Sequence, residues 1–217
     1  MAASVKAGMN ATERAAWSVI ALLSVGVAGY ALFLVVTGFR YLALENPMLA
    51  PWGLRTHIAA SAFAMLLGPF QFLKRLRARR PRLHRWSGRV YVAACLVGGV
   101  AGATIALSST AGLPAGAGFL LLALFWLATT SLAWVSAMRR DFAAHERWMV
   151  RSFALTFAAV TLRLYIPASV IANHGELAVD AYRVIAWACW VPNLVLAEIW
   201  LRTRNRRTAS AQPSPAA

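Results

Sequence analysis

Four histidines and one arginine deep in an apolar run are the residues of this chain best suited to chemistry. Imidazole is a common axial ligand of haem iron and a good zinc ligand. His84 and His145 each stand just ahead of a long apolar run, and His57 and His174 stand at the opposite ends of such runs. In a chain that crosses a membrane, this puts two histidines on each side. That is the ligand set of a cytochrome with two b-type haems, each held by paired imidazoles. Spacing limits the reading. His145 and His174 are 29 positions apart, or ~43 Å along a continuous helix, which matches the bilayer with its headgroups rather than its hydrocarbon core. Haems on these ligands would lie at the two water interfaces. The rival is a metal site. Asp141 and His145 are four apart on one helical face and His84 offers a third ligand, but no HExxH or paired-cysteine motif accompanies them.

Arg163 falls near the centre of "SFALTFAAVTLRLYIPASVIA", where insertion scales charge about 2.5–3.5 kcal/mol for an arginine. Such residues face the bundle interior and find partners there. Pro167, four positions on, removes the amide that would bond the Arg163 carbonyl, and Pro192 does the same to Ala188 beside Asn193. The sequence therefore predicts two proline-broken helices with Arg163 and Asn193 at a buried polar site. That site suits a haem propionate, a quinone oxygen or a small anion. In a purely structural role, Arg163 instead caps loosened carbonyls. Glu198 is a second ionisable group within an apolar run, with Arg151 as its expected partner.

The stretches "LHRWSGRVYV" and "HERWMVRSFAL" share a phrase. Arg85, Trp86 and Arg89 recur 62 positions later as Arg147, Trp148 and Arg151. Tryptophan belongs to the membrane's interfacial belt and arginine reaches out to headgroups, which accounts for most of the phrase. The repeat also fits two related helical hairpins.

These residues must be positioned by the elements that composition allows. The chain has 217 residues, 60% hydrophobic and 13% charged, against about a quarter charged in soluble domains. It cannot cover itself with polar surface, so lipid must, and a soluble hydrolase is excluded. Six segments approach the ~20 apolar residues that a span requires: Trp17–Gly38, His57–Leu73, Val90–Leu107, Phe119–Met138, Ser152–Ala172 and Ala181–Leu201. The fold expected is all-α, an integral membrane bundle of six transmembrane helices. Its layout is a short segment over 1–16, the bundle over 17–201 and a disordered tail over 202–217. Lys6 and Arg14 precede the first run as they would in a signal peptide, but its length argues for a retained span. Cys95 and Cys189 lie inside apolar runs and read as small core or lipid-facing residues, not a disulfide or metal pair.

The net charge of +15 could point to nucleic acid, but its distribution says otherwise. Eight basic residues lie from Lys74 to Arg89, four from Arg139 to Arg151 and four from Arg202 to Arg207. With an inward N-terminus all of these fall on the cytoplasmic side, which the positive-inside rule requires. Both termini are then cytoplasmic, and "KRLRARRPRLHR" is a topology determinant beside anionic lipid. The bilayer is the expected partner and nucleic acid is not. "GGVAGA", from Gly98, offers small residues for close helix contact within or between monomers, so the oligomeric state stays open. No acidic ring or repeated pore loop marks a channel.

From His84 onward, "LHRWSGRVYV", "HERWMVRSFALTFAAVTLRLYIP" and "WACWVPNLVLAEIW" resemble the bacterial predicted membrane proteins grouped as domain of unknown function 2306. The resemblance implies a multi-pass protein of the bacterial cytoplasmic membrane and no established activity. It marks His84, His145, Trp148, Arg151, Arg163, Asn193 and Glu198 as positions matching the family's pattern, without roles. Three functions stay open. The first is a small haem- or quinone-linked redox protein. The second is a binder or transporter of a small anionic or lipid-like molecule. The third is a non-catalytic membrane subunit or sensor.

Overall fold

Helices are the only regular elements among the described residues, 11–37 and 51–210 of a computed structural model. In hydrocarbon each backbone amide must bond within the protein, and a helix does this inside one segment. The elements are α1 (Ala11–Val36), α2 (Pro51–Gln71), α3 (Lys74–Arg79), α4 (Pro81–Leu107), α5 (Leu113–Met138), α6 (Phe142–Thr156), α7 (Ala158–Ala172), α8 (Val179–Ala188) and α9 (Val191–Ser210). Five stretches are long and apolar enough to cross a membrane: α1, α4, α5, Phe142–Ala172 and Val179–Arg206. The expected span at His57–Leu73 is present as α2, 21 residues long, but it is not one of the five, because Arg55, His57 and Gln71 dilute it. Much of that polarity has a use inside the bundle. The Gln71 amide donates to Ser87 Oγ at 2.9 Å, and His57 Nδ1 meets a carbonyl of α4.

Packing is layered around α2 and α5. Helix α2 packs chiefly on α4 and α1, and α5 on α6 and α4. The α2–α4 and α5–α6 pairs are the two hairpins that carry the doubled phrase, and α4 packs as closely on α5. Helix α1 buries Ala21, Ser24, Ala28, Ala31 and Leu34. These recur every three or four positions, and four of them are small, so the helices approach closely. Ala62 and Met65 of α2 and Val160 of α7 complete that cluster. The larger cluster holds Tyr91, Cys95, Trp126, Met149, Leu155, Cys189 and Trp190. Both cysteines are free and buried, as their apolar surroundings in the sequence predict.

The helix breaks differ from those expected. Helix α7 runs through Pro167, and the interruption in that span comes at Phe157. There the Thr156 hydroxyl bonds back to the Ser152 carbonyl at 2.9 Å, a contact that bends helices. The last span does break beside its proline, between Ala188 and Val191. Helix α9 continues to Ser210, so residues 202–210 of the expected disordered tail are helical. Residues 211–217, the start of the 1–16 segment and Arg40 lie outside the described residues.

At the end of the bundle with the α5–α6 turn, arginines are clamped. Arg151 meets Glu198 through two bonds, Nε to Oε1 at 2.5 Å and a terminal nitrogen to Oε2 at 3.0 Å, and lies over the Trp148 ring at 4.6 Å. Arg204 bonds Glu146 at 2.5 Å and lies over Trp200 at 5.2 Å. Arg89 lies over Trp86 at 5.4 Å, so both copies of the doubled phrase place their last arginine on their tryptophan. Lysine can neither fork to a carboxylate nor stack in this way. Arg151→Lys is therefore expected to destabilise the protein by about 1 kcal/mol, read as a lower thermal midpoint in detergent, with Arg89→Lys near neutral.

Candidate functional site

Glycines of α4 make room for the site. Gly98 and Gly102 share a face, and a methyl at Gly102 would stand 2.9 Å from the His57 ring. His57 Nδ1 lies 2.8 Å from the Gly98 carbonyl. A carbonyl only accepts, so Nδ1 carries a proton, and in the neutral ring Nε2 keeps a bare lone pair. One helical turn on, Ser61 stands on the same face of α2, and its buried hydroxyl has no partner. The "GGVAGA" stripe thus serves contacts within one monomer: a methyl at Gly98 would be 3.2 Å from Ser61 Oγ, and one at Gly99 2.7 Å from Leu127.

His57 and Ser61 line a cavity of about 390 Å³ among α1, α2, α4, α5 and α7, within the size range of small-molecule sites. Its walls are apolar, with Val27, Ile58, Met65, Leu122 and Leu162. Arg163 enters from α7. One terminal nitrogen donates to the Ala159 carbonyl at 3.0 Å, and its charge lies within electrostatic reach of the His57 ring and the Tyr30 hydroxyl. No aspartate or glutamate is among the described residues that line it. Ser108–Ala111, at the α4–α5 turn, and Tyr182 of α8 line it as well. Arg163 lies nine residues before Ala172, or ~14 Å, and 21 after Phe142, or ~32 Å, in a helical stretch that begins before the expected Ser152 start.

Beside the cavity lies a hydrogen-bonded cluster that sequence reading does not find. Trp126 Nε1 donates to Thr156 Oγ1 at 2.9 Å, and Tyr91 OH lies 3.0 Å from the same oxygen. Tyr91 OH is 2.9 Å from Ser152 Oγ, which is 2.7 Å from Thr130 Oγ1. One consistent set of donors runs Thr130 to Ser152 to Tyr91 to Thr156 and ends on the Ser152 carbonyl. Every hydroxyl is then satisfied, so the cluster locks α4, α5 and α6 together and offers nothing to a ligand. The signal in the sequence is the four-residue spacing of Ser152 and Thr156 within an apolar run.

The predicted site residues separate. Asn193 is not at the cavity with Arg163: its amide donates to Thr161 Oγ1 and to the Cys189 carbonyl, both at 3.1 Å. The Thr161 hydroxyl donates to that carbonyl too. Asn193 therefore seals the α8–α9 break, which corrects the expected shared pocket. Arg163 and Thr161 are two positions apart on α7 and face different ways. Glu198 takes its expected partner Arg151. His145 Nδ1 bonds the Ala133 carbonyl at 2.8 Å, while His84 lies near His145 and Arg77 with its Nδ1 buried and unpartnered. Asp141 caps α6, accepting from Ala144 N at 2.9 Å. Among the described residues no three His, Cys, Asp or Glu side chains gather for a metal ion, so the Asp141–His145–His84 site does not form. His174 is exposed at the end of α7 and does not join His57, the single histidine lining the cavity.

A family profile described as "Predicted membrane protein (DUF2306)" matches residues 54–201. The match takes in α2 through most of α9 and therefore His57, Ser61 and Arg163, and leaves α1 outside it. No curated protein and no solved structure matches the chain.

Proposed function

The chain belongs to the family of predicted membrane proteins grouped as domain of unknown function 2306, and we propose that it is a membrane-embedded binding protein for a small lipophilic molecule whose head group is anionic or an oxygen acceptor. The observation that carries this is Arg163, a cation on a mostly apolar cavity with no carboxylate among the described lining residues. A charge in such surroundings is costly unless paired, and a ligand supplies what the protein does not. His57 and Ser61 add polar groups that fix orientation, while the apolar walls take the tail. A quinone fits the same cavity through its carbonyl oxygens. At this cavity the paired-imidazole haem reading finds one histidine, His57.

In the same reading α2 crosses with the five more apolar stretches, giving six spans with both termini cytoplasmic. The basic runs about α3 and the α5–α6 turn then face inward, in a bacterial cytoplasmic membrane. The cavity falls in the outer half of the bilayer.

The test is thermal stabilisation of detergent-purified protein by a panel of carboxylic acids, quinones and neutral alcohols of matched tail length. Ligand at 100 times its Kd stabilises by about 2.7 kcal/mol. Acids or quinones should raise the thermal midpoint of the wild type and leave Arg163→Ala unmoved. Equal shifts in both proteins, or none in either, would overturn the reading. Gly102→Ala puts a methyl 2.9 Å from the His57 ring and must displace it. We expect affinity to fall about tenfold, or ~1.4 kcal/mol, with the midpoint of the ligand-free protein little changed.

A further inference from the structure

The head group can be specified further, on the basis of the cavity reading above. Arg163 offers donors and a positive charge. His57 offers the reverse, because Nδ1–H is committed to the Gly98 carbonyl and Nε2 is an acceptor with no protein partner among the described residues. A bare carboxylate suits the guanidinium but sets its lone pairs against Nε2. A quinone has the same conflict at Nε2 and leaves the arginine's charge without an anion. A carboxylic acid resolves both, with its carbonyl oxygen toward Arg163 and its hydroxyl toward Nε2.

We propose that the ligand is a single-tailed lipophilic carboxylic acid that binds together with one proton, held between its carboxyl oxygen and His57 Nε2. When the proton moves onto Nε2, the O–H bond breaks, an N–H bond forms, and the electron pair stays on the carboxylate. Nothing else is consumed or released. The anion then lies between imidazolium and guanidinium, with the Ser61 hydroxyl as a further donor on the His57 face of α2. The groups that face this point from neighbouring elements are few. Arg163 comes from α7, Tyr30 from α1 beside Arg163, Tyr182 from α8 and Cys189 from the α8–α9 break. Among the described residues none is a carboxylic acid, so none of them competes to hold the proton at Nε2 as its counter-ion. Helices α4 and α5 contribute backbone, aliphatic and aromatic groups, with the Trp126 indole N–H committed to Thr156.

Binding of radiolabelled decanoate to the full chain in lipid nanodiscs, corrected for empty discs, tests this between pH 7 and pH 9. Decanoate is ionised in water throughout this range, so one proton taken up per ligand bound weakens binding about tenfold per pH unit. A pH-indicator dye should record that uptake directly. In His57→Gln the side-chain amide donates to the carboxylate without a proton, so decanoate should still bind and the pH dependence should vanish. Saturable decanoate binding with a flat pH profile and no proton uptake in the wild type would overturn the proton linkage and leave the cavity reading standing. Displacement of a quinone analogue with no decanoate binding would overturn the acid while keeping the cavity. No cavity-dependent binding of either, with Arg163→Ala indistinguishable from the wild type, removes both.

Discussion

Replacing Arg163 with alanine is expected to weaken decanoate binding at least ~100-fold, since truncating one member of a desolvated charge pair costs about 2–5 kcal/mol. The same substitution should leave the thermal midpoint of the ligand-free protein unchanged or higher. This combination separates a ligand-binding arginine from a structural one. Among the described residues the protein gives Arg163 one carbonyl, that of Ala159, and no carboxylate at the cavity wall. Removing a charge that the fold does not compensate relieves a desolvation cost, whereas removing one member of a satisfied pair destabilises. Arg151 is the internal control. It is forked to Glu198 and stacked on Trp148, so Arg151→Ala should lower the midpoint and leave decanoate affinity alone. A lower midpoint in Arg163→Ala with unchanged affinity would mean that the arginine only holds α7 in place.

Thr156→Val is expected to be the most destabilising conservative change in the core, by about 2 kcal/mol. Valine matches threonine in shape but leaves Trp126 Nε1 and Tyr91 OH without their shared acceptor at 2.9 and 3.0 Å. Tyr91 and Ser152 are fully buried, while Trp126 and Thr156 border the cavity. Tyr91→Phe removes one donor and leaves the Trp126 bond intact, so it should cost less than half as much. Hydrogen bonds inside membrane bundles average only ~0.6 kcal/mol when an unfolded reference finds other partners. The larger figure expected here comes from orphaning two donors at once. Equal midpoints for Thr156→Val and the wild type, measured in the same detergent, would show that the cluster does not lock α4, α5 and α6.

The helical class was legible because the whole composition states it. Low charge and long apolar runs leave helices as the economical way to satisfy the backbone in lipid. The Arg151–Glu198 pair was legible because each is an ionisable group at the same end of its span. The cavity was not, for a physical reason. His57 looks like an interfacial histidine when read along α2, and what gives it a role lies on α4, where Gly98 supplies a carbonyl and Gly102 supplies space. Sequence spacing within a helix is a local signal, whereas this site is made by three helices remote in the chain. Arg163 was singled out by its cost in the membrane, which holds whatever its neighbours are. Its expected companion Asn193 was chosen by depth alone. Depth does not fix direction around a helix, and Asn193 turned to the Thr161 face. The hydroxyl cluster was hidden in the same way. Thr130, Ser152 and Thr156 are individually ordinary in a membrane helix, and only packing shows that they converge on Tyr91.

The claim that the cavity at His57, Ser61 and Arg163 holds a lipophilic acid is tested most directly by photo-crosslinking. The full chain in nanodiscs is irradiated with a diazirine-bearing decanoic acid and the adducts are mapped by mass spectrometry. Adducts are predicted on the cavity walls, among Ile58 and Met65 of α2, Ile105 of α4 and Leu162 of α7. They should be competed by unlabelled decanoate and lost in Arg163→Ala. Adducts confined to exposed residues such as Val97, Val100 and Leu124, at equal yield in the wild type and Arg163→Ala, would contradict it.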